Sequence, residues 1–123
     1  DTGRGEEPAW LAQQLAIEDP SPVISELGLS GRSKLCADVL ELFISIYGAE
    51  VGNLALKMLA RGGVYVGGGI APSLLAKLKE GALMKACTDK GRMAPLVSQI
   101  PVRVILDETA GLLGAAHFAA FLQ

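Results

Sequence analysis

Gly62-Gly63-Val64-Tyr65-Val66-Gly67-Gly68-Gly69-Ile70-Ala71-Pro72 is the stretch on which the reading of this chain turns. Val64, Tyr65 and Val66 are β-branched or aromatic and are bounded by glycine on both sides. Such a short apolar run reads as a strand buried on both faces, as in a parallel sheet. Three glycines follow, and Pro72 sits where the first turn of a new helix begins. Strand, glycine turn and helix is the arrangement by which α/β folds bring bare backbone to a ligand at the carboxyl edge of a sheet. A turn without Cβ atoms lets a flat ring or a phosphate lie against the peptide units and tolerates positive φ. The order of glycines is neither G-x-G-x-x-G nor a P-loop, and a ligand-free turn would use the same residues.

Immediately upstream lies the longest predicted element. Ser33 is a suitable N-cap, and Leu35, Val39, Leu42, Phe43, Ile46, Leu54 and Met58 recur at helical spacing as far as Leu59. Asp38 and Glu41 fall towards its start and Lys57 and Arg61 at its end, matching the helix dipole. Gly48 and Gly52 are one turn apart on one face. Each costs about 0.5–1 kcal/mol in a helix interior, so another backbone is expected to pack closely there. Tyr47 and Asn53 read as core packing and a polar edge.

Downstream of Pro72, Leu74, Leu75 and Leu78, then Leu83, Met84 and Ala86, give one or two short helices interrupted near Gly81. Lys90-Gly91-Arg92 is a basic turn, and Met93 to Val97 a single helical turn. Val102 to Leu106 reads as a second buried strand. Two strands joined by a helical crossover imply a right-handed parallel βαβ unit. Gly111 opens a closing helix with Leu112, Leu113, Ala116, Phe118 and Phe121 available for burial. At the other end, Asp1 to Gly5 is expected to fray. Pro8 starts a helix that carries Trp10 near its apolar side, Asp19-Pro20 and Pro22 break it, and Val23, Ile24 and Leu27 form a second one stopped by Gly28 and Gly31. There are no internal repeats.

The chain has 123 residues, room for one domain or part of one. It starts at Asp1, as a processed or excised piece would. It has no secretory h-region and no uninterrupted apolar run long enough to span a membrane. A net charge of −2 gives no reason to expect nucleic acid. Cys36 and Cys87 are too few and too far apart for a disulfide framework or a metal site, and read as reduced core thiols of a cytosolic protein. Half of the residues are apolar even before the 15 glycines are counted, above the usual share. Part of this surface is therefore expected to be covered by something else.

No complete catalytic machinery emerges. His117 is the only histidine and lies in an apolar helix, where packing or surface exposure is its expected role. The acids, from Glu6-Glu7 through Asp38, Glu41 and Glu50 to Asp107-Glu108, form no recognisable acid/base pair.

Taken together, the motifs carry a family resemblance. Glu7-Pro8-Ala9-Trp10-Leu11, the run Tyr47-Gly48-Ala49-Glu50-Val51-Gly52-Asn53-Leu54-Ala55-Leu56-Lys57, the Gly62–Pro72 stretch, Asp89-Lys90-Gly91-Arg92, Ile100-Pro101-Val102 and Gly111-Leu112-Leu113-Gly114-Ala115-Ala116 stand in this order. The series resembles the C-terminal part of bacterial ATP-dependent glucokinases and covers nearly the whole chain. The resemblance implies a helix-rich α/β fold: the C-terminal portion of the large domain of an actin-like (ribonuclease H-like) sugar kinase, with residues 1–123 as a single domain. It implies ATP and Mg²⁺ in a cleft, with the γ-phosphoryl passed to the glucose 6-hydroxyl. Gly67, Gly68 and Gly69 look like the family's adenosine motif, with Ile70 and Pro72 on the helix behind.

The family's phosphate-binding loop, its aspartate base and its sugar-holding histidine and glutamates would lie upstream of Asp1, in an N-terminal domain missing here. The chain would then carry no catalytic residue and no metal ligand, and would be inactive alone. A cytoplasmic homodimer without nucleic-acid or membrane partners is implied for the parent. Two other classes remain open. A sugar-responsive repressor of the related kinase-like family would carry a Cys-rich zinc motif, which two isolated cysteines cannot supply. An oligomerisation module with an idle glycine turn would show no protection by nucleotide.

Overall fold

The computed structural model describes residues 7–122, so the expected fraying of Asp1 to Gly5 lies outside the described residues. The architecture is helix-rich α/β. Helices α1 (Ala9–Ile17), α2 (Pro20–Leu29) and α3 (Lys34–Lys57) precede β1 (Val64–Val66). The segment that follows holds α4 (Ile70–Ser73), α5 (Leu75–Leu78), α6 (Ala82–Thr88), a 3₁₀ turn (Gly91–Met93) and α7 (Ala94–Val97). Strand β2 (Val102–Val104) and α8 (Ala110–Phe121) complete the chain.

The two strands are parallel neighbours, with Val64 opposite Val102, Tyr65 opposite Arg103 and Val66 opposite Val104. Backbone bonds at both ends fix this register: Val64 N–H donates to the Pro101 carbonyl and Ile105 N–H to that of Val66, each at 2.9 Å. The second strand, expected to be buried from Val102 to Leu106, runs only from Val102 to Val104; its valines are half-buried, Arg103 is exposed, and Leu106 beyond it is exposed. Burial on both faces does not hold for β1. Val66 is buried, but Tyr65 is 62% exposed, with the Arg103 guanidinium 5.6 Å from its ring centroid. One face of the pair has no covering layer among the described residues.

The main core gathers Leu40, Ile44 and Val51 of α3 with Val66, Ala71, Leu74, Leu78, Leu83, Cys87 and Val97. Its axis is the seam between α3 and α6, where the sequence places Gly48 and Gly52. A methyl group on Gly48 would lie 2.2 Å from the Leu83 carbonyl oxygen, and one on Gly52 would lie 2.2 Å from that of Cys87. The two helices therefore meet backbone to backbone, as the spacing of the glycines predicts. Lys90 braces the seam by donating from Nζ to the Ala49 carbonyl at 2.9 Å.

The buried face of α3 is Cys36, Leu40, Ile44, Gly48, Val51, Gly52 and Ala55. Val39, Leu42, Phe43, Ile46, Leu54 and Met58, which share the helical spacing, are exposed instead. The helix has apolar residues on both sides, and the small ones decide which side approaches α6. By length and mean hydropathy (1.4) α3 is apolar enough to cross a membrane, but Asp38, Glu41 and Glu50 interrupt it and the α6 seam occupies its small-residue face. Ser33 caps α3 by accepting from Cys36 N–H at 3.3 Å. At the far end the Ala60 N–H reaches the Ala55 carbonyl and the Leu59 N–H that of Leu56. This closing pattern needs a left-handed residue at Leu59, whose φ is +48°.

A satellite core of Leu11, Val23, Leu27 and Cys36 ties α1 and α2 to the start of α3. Here Leu11, not Trp10, is the anchor; Trp10 is 47% exposed. Pro20 ends α1 as expected but also opens α2, with Asp19 accepting from Ser21 N–H as its cap. Gly28 does not stop α2; it lies within it, close to the Cys36 carbonyl. Cys36 and Cys87 are buried, free thiols, and burial raises the Cys87 thiol pKa above its ordinary value, with Lys90 opposing the shift.

The largest departure from expectation is α8. Leu112, Leu113, Ala116, Phe118 and Phe121 were available for burial by sequence, yet no residue of this helix is buried. Nothing among the described residues packs over it.

Candidate functional site

Both parallel strands deliver their chains to the same end of the sheet. Gly67 follows Val66, and Ile105 follows Val104. The two loops that leave there enclose a cleft of about 430 Å³ lined by Gly67, Gly68, Ile105, Asp107, Glu108, Ala110 and Gly111. A cleft outside the carboxyl ends of parallel strands is where open α/β sheets bind ligands.

The three glycines have different reasons to be glycine. Gly68 takes φ +98°, a conformation that L side chains rarely adopt, so the turn itself demands it. Gly67 needs no such freedom, and a methyl there would touch Ile105 at an ordinary 3.5 Å. Gly69, with φ −74° and ψ −25°, has an unstrained helical conformation, and a Cβ built on it would meet nothing within 4 Å. Nothing within the described chain requires glycine at position 69.

Opposite the turn, Asp107 is the fixed polar group. Its Oδ1 accepts from Thr109 N–H at 2.9 Å and from Thr109 Oγ1 at 2.6 Å. These bonds, the hydroxyl's first, hold its carboxyl below the ordinary range. The cleft thus joins a bare, curved peptide wall to a pinned carboxylate, with Ile105 as its apolar floor. Such a site suits a ring and hydroxyl-bearing ligand. It presents no cation to a phosphate.

Of the residues singled out by sequence, Gly67 and Gly68 line this cleft. Ile70 instead lines a smaller apolar groove with Ile24, Val39, Phe43 and Leu74, on the side facing α2 and α3. Pro72 is half-buried in α4. His117 is exposed on α8. Ile105, Asp107, Glu108, Ala110 and Gly111 were not singled out as site residues. The signal that could have found them is the parallel pairing, which brings the ends of both strands to one edge. A roomier groove between α3 and α6 is lined by Asp38, Glu41, Lys85, Asp89 and Lys90. It offers charges of both signs on a helix seam and none of the strand-end geometry. No cluster of three or more His, Cys, Asp or Glu able to hold a metal occurs among the described residues.

A family model described as glucokinase matches residues 6–121. Among similar proteins, the glucokinase of Synechocystis sp. is 47% identical over 108 residues, which are 88% of this chain and 30% of that protein. The glucokinase of Nostoc punctiforme is 48% identical over 104 residues, 85% of this chain and 30% of its own length. The glucokinase of Chromobacterium violaceum is 43% identical over 100 residues, 80% of this chain and 29% of its own. The chain therefore spans about 30% of the length of the curated relatives it matches.

Proposed function

Because the chain belongs to the glucokinase family, we propose that it is the C-terminal part of an ATP-dependent glucokinase and supplies the adenosine-side wall of its nucleotide site. The parent enzyme transfers the γ-phosphoryl of ATP to the 6-hydroxyl of glucose. In this reading Gly67, Gly68 and Gly69 lie against the nucleoside, and Ile70 and Pro72 hold the turn from behind. The observation that carries the proposal is the cleft at the joint carboxyl end of β1 and β2, lined by Gly67 and Gly68 from one loop and by Asp107, Glu108, Ala110 and Gly111 from the other.

The residues fit a nucleoside better than they fit a metal. Mg²⁺ would be held by the phosphates of ATP and by groups outside this chain. The base that takes the sugar proton and the groups that hold glucose also belong to the rest of the polypeptide. Phosphoryl transfer depends on positioning and charge neutralisation across both walls of a cleft, so residues 1–123 alone carry a half-site and are inactive. The parent is read as a homodimer by family likeness, and as cytoplasmic in keeping with the unpaired, buried Cys36 and Cys87.

The unstrained conformation at Gly69 makes it the position to test. In the full-length enzyme, Gly69→Val is expected to raise the KM for ATP at least tenfold and to leave that for glucose within about twofold, with Tm nearly unchanged. Gly68→Val is a poor test, because its φ of +98° makes any loss of binding inseparable from strain. A folded Gly69→Val enzyme with a normal KM for ATP overturns the assignment.

A further inference from the structure

The cleft at the strand ends carries its polar side chains on one wall only. Of the residues lining it, Asp107 and Glu108 alone have polar side chains, both are acidic, and no lysine or arginine faces them. The two acids differ in how they are held. Asp107 Oδ1 accepts from both Thr109 N–H and Thr109 Oγ1, which uses up the lone pairs of that oxygen. Its Oδ2 has no hydrogen-bond partner among the described residues and is the acceptor that Asp107 offers to a ligand. Glu108 is exposed on a longer stem with more rotatable bonds, and ordering it on binding costs side-chain entropy that the pinned Asp107 has already lost.

We propose that Asp107 is the residue that recognises ribose in this cleft, its Oδ2 accepting from the vicinal 2′- and 3′-hydroxyls of the bound nucleoside. This rests on the reading of the cleft as the adenosine-side wall of a nucleotide site. The other parts of a nucleotide fit the carboxylate less well. The phosphates are anionic and would meet two carboxylates with no cation between them. The amino group of adenine is flanked by the lone pairs of the ring nitrogens N1 and N7, so a carboxylate accepting from it also meets a fixed acceptor. The ribose diol presents two donors that rotate to suit their partner. The bonds from Thr109 favour the charged form of Asp107, so at neutral pH it is an acceptor only, and its bonds to hydroxyls are of the stronger, charge-assisted kind. Across the cleft, Gly67 and Gly68 leave the opposite wall to bare backbone, and Ile105 is the apolar surface between them. A largely apolar cleft with one placed polar group takes its specificity from that group.

The test compares dissociation constants of the full-length protein for ATP, 2′-deoxy-ATP and 3′-deoxy-ATP, by calorimetry. At least one deoxy analogue is expected to bind about threefold or more weaker than ATP, the loss of one charge-assisted hydrogen bond in an open cleft. In Asp107→Ala that ratio is expected to fall below half of its natural value. Asp107→Asn keeps an acceptor for Thr109 and so preserves the loop should the alanine variant fail to fold; the same fall is expected in it. Losses under threefold for both analogues overturn the proposal, as does a folded variant that keeps half or more of the natural ratio. A merely structural role for Asp107 would weaken all three nucleotides alike and leave the ratio unmoved. If Asp107→Ala instead reduces the preference for ATP over inosine triphosphate while the deoxy ratios stand, the carboxylate faces the base and the proposal also fails. The two readings fail separately. A normal KM for ATP in folded Gly69→Val removes the glycine turn from the nucleotide site, whereas a raised KM there, beside unchanged deoxy ratios in the Asp107 variants, sinks only the ribose contact.

Discussion

Helices α3 and α8 both carry glycine pairs within apolar sequence, yet they stand in opposite situations. Gly48 and Gly52 of α3 are met by the carbonyls of Leu83 and Cys87, so closely that a methyl group cannot be added. Gly111 and Gly114 of α8 face open space, and every large side chain of that helix is exposed. The same composition therefore marks a finished seam in one place and an unfinished one in the other. Small residues report that a backbone comes close; they do not say whether it belongs to the same 123 residues.

The largest expected effect breaks the finished seam. Gly48→Ala in the full-length protein should lose about 2–3 kcal/mol, measured by chemical denaturation, although alanine is the better helix former by up to about 1 kcal/mol. A neutral or stabilising result would mean that α3 and α6 are farther apart than described. A smaller effect of opposite sign separates the need for space from the need for backbone freedom. Leu59 holds φ +48° at the end of α3 and is exposed. Leu59→Gly should stabilise by roughly 1 kcal/mol, since glycine takes the left-handed position without the Cβ penalty. A loss would show that the leucine side chain is held by something beyond the described residues.

The smallest effect concerns the cleft. The Asp107 carboxyl titrates below its ordinary value because Thr109 donates to it. A depressed folded pKa gives stability that is present above the unfolded pKa and is lost as pH falls through the folded one. The advantage of the natural protein over Asp107→Asn should therefore shrink below about pH 4, as read from Tm across an acid series. A constant gap would mean that the carboxylate is not held by these bonds in the complete protein.

Most of the fold was legible because its signals are local. Val64 to Val66 between glycines gave β1, Ser33 gave the start of α3, and Gly48 with Gly52 gave the seam. The parallel pairing of β1 with Val102 to Val104 followed from the helical crossover. The errors fall where burial depends on partners. Tyr65 reads as buried by type but lies on the uncovered face of the strand pair, and the burial expected for Leu112 and Phe118 has no partner among the described residues. The face of α3 was ambiguous for a related reason: Val39, Leu42 and Ile46 are as apolar as Leu40, Ile44 and Val51, and only the seam decides between them. Of the site, the glycine turn was visible in the sequence. Asp107 to Gly111 were not, because they reach the turn only through strand pairing about 40 residues away.

The most direct measurement is photolabelling of the full-length protein with 8-azido-ATP, followed by tryptic mapping. Arg61 and Lys77 bound the peptide that carries the glycine turn, and Arg103 precedes the peptide that carries the opposite wall. The account predicts label in the peptide spanning 62–77, in the one beginning at Val104, or in both, suppressed by unmodified ATP. ATP-suppressible label confined to peptides outside these two would contradict it.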